Sequence, residues 1–359
     1  MTNLKQQAAS GFSRRDMLRI FGGAASAVGA ASFLAACGSS GGSAPTAASA
    51  SASAGGLSEL LARPGEPLIT TTVAASSTSV NHMWAQWGVK HGYYKKYGLN
   101  VQTEANVANA VAAMAAGKLD FSASGVATQS GAVQGAPVKV AMVTFRDNLG
   151  VYGLQSIKSV QDLKGKRILG PDDMIKAILQ KNGINGDSGV TWVTNNASTQ
   201  QSIQMVKQGR ADAFTGYPPA EFLAEQAGLV EVTSVAKVFP GSPVSIVGTS
   251  THLLQTNPLL VKKFLAGTLD ALADMKANKA AVVQFFQASW GFSPSLAEQT
   301  YTVIPQDMFD NGQTDDAALQ QVLDVTEQAQ GKTQQIPLDQ VWDFTLLKQV
   351  LAERAATSA

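Results

Sequence analysis

The sequence predicts an α/β chain built as two similar lobes, each a mostly parallel sheet flanked by helices, followed by a helical tail. Three observations carry this prediction. β-rich runs alternate with helical patterns from Leu68 onward. One helix-to-strand unit occurs twice, turning at Gly117 and again at Gly209. The strands end in loops of Ser, Thr, Gly and amides, and an open parallel sheet collects ligands at such strand ends.

The chain opens with the twin-arginine pattern Ser13-Arg14-Arg15-Asp16-Met17-Leu18-Arg19. A weakly apolar, Ala- and Gly-rich stretch runs from Ile20 to Leu34 and closes in Leu34-Ala35-Ala36-Cys37. A basic flank, an apolar middle and small residues before a cut site make an export signal. The last four residues resemble the lipobox of bacterial lipoproteins. That resemblance implies a signal peptide over 1–36 and acylation of Cys37, the only cysteine. An ordinary secretory peptide with a chance cysteine is the bland alternative. A spanning helix fits less well, because the run is short and glycine-rich against the ~20 apolar residues a bilayer needs.

The full chain of 359 residues carries a formal charge of +1. The segment 1–36 holds four basic residues (Lys5, Arg14, Arg15, Arg19) and one acid (Asp16), so the chain beyond it stays near neutrality. A near-neutral chain without a basic block gives no electrostatic case for nucleic-acid binding. A lipid on Cys37 is the membrane attachment the sequence supports, and it leaves no thiol for a disulfide. Residues 37–62 begin as a Gly/Ser/Ala/Thr tract whose small side chains cannot offset ordering entropy, and they read as a tether. A long helix here is the alternative, although Ser and Gly interrupt its alanines.

Past the tether, Leu68–Val73 reads as a strand, the loop 74–79 as its polar end, Asn81–Tyr97 as a helix stopped by Gly98, and Leu99–Glu104 as a second strand. The repeated unit comes next. Asn106–Ala116 reads as a helix, stopped by Gly117, with Lys118-Leu119-Asp120-Phe121 opening a strand. Thr199–Gln208 does the same, stopped by Gly209, with Arg210-Ala211-Asp212-Ala213-Phe214 opening its strand. Glycine supplies the left-handed helix stop in both. From Leu253 the chain is mostly helical. Asn257-Pro258, Ser293-Pro294 and Thr314-Asp315 are helix starts. Val261, Phe264, Leu265, Thr268, Leu269 and Leu272 form an apolar helix face that reads as core.

Four segments in order then resemble a known family. They are Gly92-Tyr93-Tyr94-Lys95-Lys96-Tyr97-Gly98-Leu99-Asn100-Val101, Ala115-Ala116-Gly117-Lys118-Leu119-Asp120-Phe121, Ser159-Val160-Gln161-Asp162-Leu163-Lys164-Gly165-Lys166-Arg167-Ile168, and Gly209 to Pro218. They resemble the nitrate/sulfonate/taurine-binding proteins of ABC importers and the related thiamine-pyrimidine-precursor-binding proteins. The resemblance implies a two-lobed periplasmic-binding-protein-like fold of type 2, with lobe 1 over 63–148 and 246–355 and lobe 2 over 149–245. It implies a ligand held between lobes that close by hinge rotation. It also implies ABC permease and ATPase partners and a monomer. With the export signal, the expected location is the periplasm or the outer face of the cytoplasmic membrane, lipid-anchored, and no cofactor or metal is expected.

Candidate ligand contacts sit on the strand-end loops. Ser79, His82 and Trp84 follow the first strand. Trp84 can stack on a planar ligand and His82 can donate a hydrogen bond, or Trp84 is core and His82 surface. Asn109, Ser124 and Thr128 lie at helix starts, where capping is the alternative role. Arg146 either clamps an anion or pairs with a carboxylate at the hinge, next to Asp147. Asp172 and Asp173 stand where many relatives of the resembled family have Gly-Ser. Facing the cleft they would repel an anion and favour a neutral or amine-bearing ligand. Otherwise one of them is a helix cap and both face solvent. Thr215 and Tyr217 end the second-lobe strand, and Tyr217 facing Trp84 would sandwich a ring. An enzyme is the rival class. Fungal thiamine-pyrimidine enzymes of this fold are associated with a cysteine-rich segment and iron. Here no cysteine follows Cys37, and the histidines are His82, His91 and His252 alone. A ligand-binding sensor that has lost transport is the third reading.

Overall fold

The computed structural model describes residues 57–358 other than 78, 106, 147, 195 and 196. The export signal, Cys37, the tether up to Gly56, and Asp147 lie outside the described residues. The expected tether over 37–62 is corrected at its end, where Leu57–Leu60 is a helix whose Leu60 is buried in the core. Sheet A has the order β2-β1-β3-β10-β4, and sheet B the order β7-β6-β8-β5-β9. Sheet A contains β1 (Ile69–Ala74), β2 (Leu99–Glu104), β3 (Phe121–Ser124), β4 (Val138–Arg146) and β10 (Pro243–Ser250). Sheet B contains β5 (Gly150–Gly153), β6 (Arg167–Leu169), β7 (Thr191–Val193), β8 (Ala213–Gly216) and β9 (Val230–Ser234). In each sheet three neighbouring strands are parallel, and one antiparallel strand, β10 or β5, joins them to the edge. The two sheets therefore repeat one topology, as the duplicated sequence unit predicts.

Helices α1 (Leu57–Leu60), α2 (Met83–Lys90), α3 (Tyr93–Lys96), α4 (Ala110–Ala115) and α5 (Gly125–Val133) accompany sheet A. Helices α6 (Asp173–Lys181), α7 (Thr199–Lys207), α8 (Ala220–Gln226) and α9 (Val235–Val238) accompany sheet B. The tail is α10 (Thr251–Thr256), α11 (Pro258–Ala277), α12 (Lys279–Trp290), α13 (Pro294–Asp307), α14 (Asp316–Ala329), α15 (Leu338–Val341) and α16 (Thr345–Ser358). Its predicted starts are capped as read: Asn257, Ser293 and Asp315 accept from the backbone N–H groups of Leu260, Leu296 and Ala318. Two helix expectations are corrected. The helix expected over 106–116 is α4, which starts at Ala110 with Asn109 as its cap. The helix expected over 81–97 is a 3-10 turn (Val80–His82) followed by α2 and α3, broken at Gly92, whose φ of 76° leaves the helical region.

The repeated Gly-Lys/Arg-x-Asp unit has one structural role in both sheets. Gly117 and Gly209 take φ of 67° and 69° and end their helices. The aspartate three residues on then grips the neighbouring parallel strand. Asp120 accepts from Thr71 Oγ1 at 2.7 Å and from the Thr72 N–H at 2.9 Å. Asp212 accepts from the Arg167 N–H at 2.8 Å and takes its guanidinium at 3.1 and 3.0 Å. Each carboxylate fixes the register of the strand that leads to a strand-end loop.

The tyrosine motif is a packing device. Tyr94 fills the space beside two glycines: a Cβ on Gly88 or Gly267 would come within 2.5 or 2.6 Å of its ring. Its ring stacks on Phe264, which stacks on Phe121 at 3.8 Å between centroids. Tyr97 donates to Asp270, which also binds Lys96 and Arg354 at 2.7 and 2.8 Å. Paired charges with added hydrogen bonds are the form in which a buried carboxylate is tolerated. A second buried cluster is continuous between the sheets. It joins Val140, Val143 and Ile246 of sheet A to Val151, Ile168 and Ala213 of sheet B. Helix α14 packs on both α5 and α6, so the tail ties the two halves together.

Candidate functional site

The parallel strands of sheet A end at a pocket of about 270 Å³. Ala75, Ser76 and His82 line it from the first loop, Glu104 and Asn109 from the second, and Ser122, Ser124 and Ala127 from the third. On the other side of the α5 N-terminus, Val126, Gln129 and Ser130 face a narrower pocket. Its remaining walls include Asp172, Asp173, Met174 and Tyr217 from sheet B and Val322, Val325 and Thr326 from α14. The split follows helix geometry, since 124 and 127 share one face of α5 and 126, 129 and 130 another.

His82 is held from both sides. Its Nδ1 accepts the Ser76 N–H at 3.0 Å. The preceding residue, Asn81, exchanges two hydrogen bonds with Asn148 at the crossing between sheets, at 3.1 and 2.6 Å. Burial pushes the imidazole down to about 4, so it is neutral at physiological pH. Ser124 precedes the first turn of α5 without capping it through its side chain, and it lines the pocket together with Ala127 of that turn. The start of α6 is different: Asp172 Oδ1 accepts from the Met174 and Ile175 N–H groups at 2.8 and 3.4 Å. Its burial nonetheless raises the carboxyl to about 6. Tyr217 is pushed up by burial and by Asp172 beside it.

The structure brings Ser124, His82 and Asn109 to the first pocket, and Asp172, Asp173 and Tyr217 to the second. Asn109 also caps α4, accepting from the Ala112 N–H at 3.0 Å. Asp172 is the helix cap of the bland reading, and Asp173 lies 3.7 Å from Lys176. Several expectations are corrected. Trp84 is fully buried against Phe264 in the sheet A core, so it does not face Tyr217 across a cleft. Thr128 is buried and donates back to the Ser124 carbonyl at 2.8 Å. Arg146 meets no carboxylate among the described residues. Its guanidinium lies 4.3 Å over Phe309 and donates weakly to the Met308 carbonyl. Thr215 closes the Gly170 turn by donating to its carbonyl at 2.7 Å. Ser79 caps the 3-10 turn without its side chain and lines neither pocket.

Sequence reading missed Ser76 and Ser122 as individuals, although the loop 74–79 contains the first and the third strand contains the second. It missed Gln129 and the α14 residues altogether. Nothing in a tail helix signals a strand-end pocket far away in sequence.

Two similar sheets of one topology, with a pocket at the parallel strand ends of one of them, define a two-lobed α/β protein of the periplasmic-binding-protein-like class. The chain belongs to the NMT1/THI5-like family, whose model matches residues 79–281. No curated protein matches it significantly. Solved structures share its fold at low identity. The putative sulfonate ABC transporter periplasmic sulfonate-binding protein SsuA from Methylobacillus flagellatus KT is 16% identical, with a TM-score of 0.64 over 81% of this chain and 96% of that one. The nitrate-binding protein NrtA from Synechocystis PCC 6803 is 12% identical, with a TM-score of 0.61 over 79% and 89%. The desulfurization enzyme DSZB is 15% identical, with a TM-score of 0.60 over 79% and 99%. The fold thus accommodates both binding proteins and an enzyme.

Proposed function

We propose that this protein is an extracytoplasmic solute-binding protein that captures a small organic molecule between its two lobes and delivers it to an ABC importer. The carrying observation is the strand-end pocket of the first lobe, which gathers Ser76, His82, Asn109, Ser122 and Ser124 at one concave site of ligand size, over which the second lobe would close. Relatives described as sulfonate- and nitrate-binding proteins support the solute-binding reading. The lobes are taken as 63–148 with 246–355 and as 149–245. The twin-arginine and lipobox patterns support export, removal of 1–36 and a lipid on Cys37. Among the described residues no helix is long and apolar enough to cross a membrane. Partners on this reading are the solute, a permease and its ATPase, and the protein acts as a monomer. We read it as a binder rather than an enzyme, because its pocket is furnished with hydrogen-bonding groups and its one histidine is engaged by the backbone through Nδ1.

The test is mass spectrometry of small molecules released by denaturing the purified protein, followed by calorimetric titration of each. Ala127 is exposed on α5 and lines the pocket, so Ala127→Trp fills the site without touching the core. Wild type should carry or bind a solute, and Ala127→Trp should lose it while melting at an unchanged temperature. Binding that survives Ala127→Trp places the site elsewhere. No solute from any class, natural or titrated, overturns the reading.

A further inference from the structure

His82 carries information about which solutes this pocket accepts, on the premise that the pocket is the solute site. A backbone N–H can only donate. The Ser76 N–H points at His82 Nδ1 at 3.0 Å, so Nδ1 must be the unprotonated nitrogen and Nε2 must carry the proton. Gln86 steadies the same loop, its Nε2 donating to the Ser76 carbonyl at 3.0 Å. The Asn81–Asn148 exchange anchors the residue before the imidazole. The ring therefore offers one donor in one tautomer, without a positive charge.

The rest of the lining agrees. Among the described residues no lysine or arginine lines the pocket, and Glu104 is the one residue there with a formal charge at neutral pH. Alanines and a valine (Ala74, Ala75, Val107, Ala108) supply the apolar wall. The start of α5, not capped by the Ser124 side chain, favours acceptor atoms of any kind, with about half a charge. Glu104, exposed at the pocket wall, adds a negative charge that disfavours an anion there.

We propose that His82 is a specificity-determining residue, a fixed uncharged donor that selects solutes presenting a neutral acceptor oxygen, such as a carboxamide carbonyl, over the matching carboxylate or a sulfonate.

Two measurements test this. Long-range ¹H–¹⁵N spectra of the imidazole nitrogens, with His82→Asn assigning the signal, should show the Nε2–H tautomer from pH 8 to about 5. An Nδ1–H tautomer or an imidazolium at pH 7 overturns the proposal. Matched probes then report selectivity in thermal-shift titrations: nicotinamide against nicotinate and benzamide against benzoate, with ethanesulfonate and nitrate alongside. The amides should raise the melting temperature and the anions should not. His82→Asn keeps an acceptor near the Nδ1 position and is too short to place a donor where Nε2 lies. It should melt near wild type and weaken amide binding at least tenfold. His82→Gln places a donor near Nε2 and loosens the loop. It should retain amide binding within about threefold and melt lower. Equal or stronger shifts with the acids, ethanesulfonate or nitrate overturn the proposal while leaving a solute-binding protein. No response to either amide also overturns the assigned class, and solute released from the purified protein would then still uphold the broader reading.

Discussion

The cap of α6 offers the sharpest energetic test. Asp172 accepts two backbone N–H groups, an arrangement that favours its ionised form. Burial outweighs them, aided by Asp173 nearby, and the carboxyl rises from 3.8 to about 6. Between those values the folded state holds more protons than the unfolded one. Stability contributed by this group is therefore lost as pH rises through that window, and the loss is complete above about pH 6. At about 1.4 kcal/mol per pH unit the ionised carboxylate costs about 3 kcal/mol. Asn caps helices about as well as Asp, so Asp172→Asn removes the charge and keeps the cap. Urea unfolding of both proteins from pH 3.5 to 7.5 measures the difference. The variant should match wild type at the acid end and gain on it up to about pH 6, by about 3 kcal/mol. A difference that stays flat across pH, or favours wild type at pH 7, would refute the reasoning.

The duplicated aspartates should fail alike. Asp120→Ala strips the Thr72 N–H and Thr71 hydroxyl of their acceptor, and should cost about 2–3 kcal/mol in urea unfolding. Asp212→Ala should cost about 1–2 kcal/mol, because the Arg167 guanidinium it releases can reach water. Arg167 also holds the Asp212 carboxyl below its ordinary range, so this contribution is present above that range and disappears as acid protonates it. Phe264→Ala removes the ring stacked between Phe121 and Tyr94 and should cost about 3–5 kcal/mol, seen as a lower unfolding midpoint.

Sequence alone determined the alternation of strands and helices, because hydrophobic period and glycine stops are local properties. It determined the twofold repeat, since the Gly-Lys/Arg-x-Asp unit does the same work wherever a helix must turn into a parallel strand. It also determined the tail caps, which are written in three or four consecutive residues. Side-chain direction was not legible. Trp84 and His82 are two residues apart, yet one enters the core against Phe264 and the other lines the pocket. Which way each faces depends on where α11 lies, far along the chain. Arg146 likewise looked available for an anion until Phe309 and Met308 came back across the β4 end. Tertiary structure alone placed Asp172 on a pocket shared with α14 and split the strand-end surface at the start of α5. Those outcomes rest on contacts between segments remote in sequence, and burial and the direction of each hydrogen bond are set only when such segments meet.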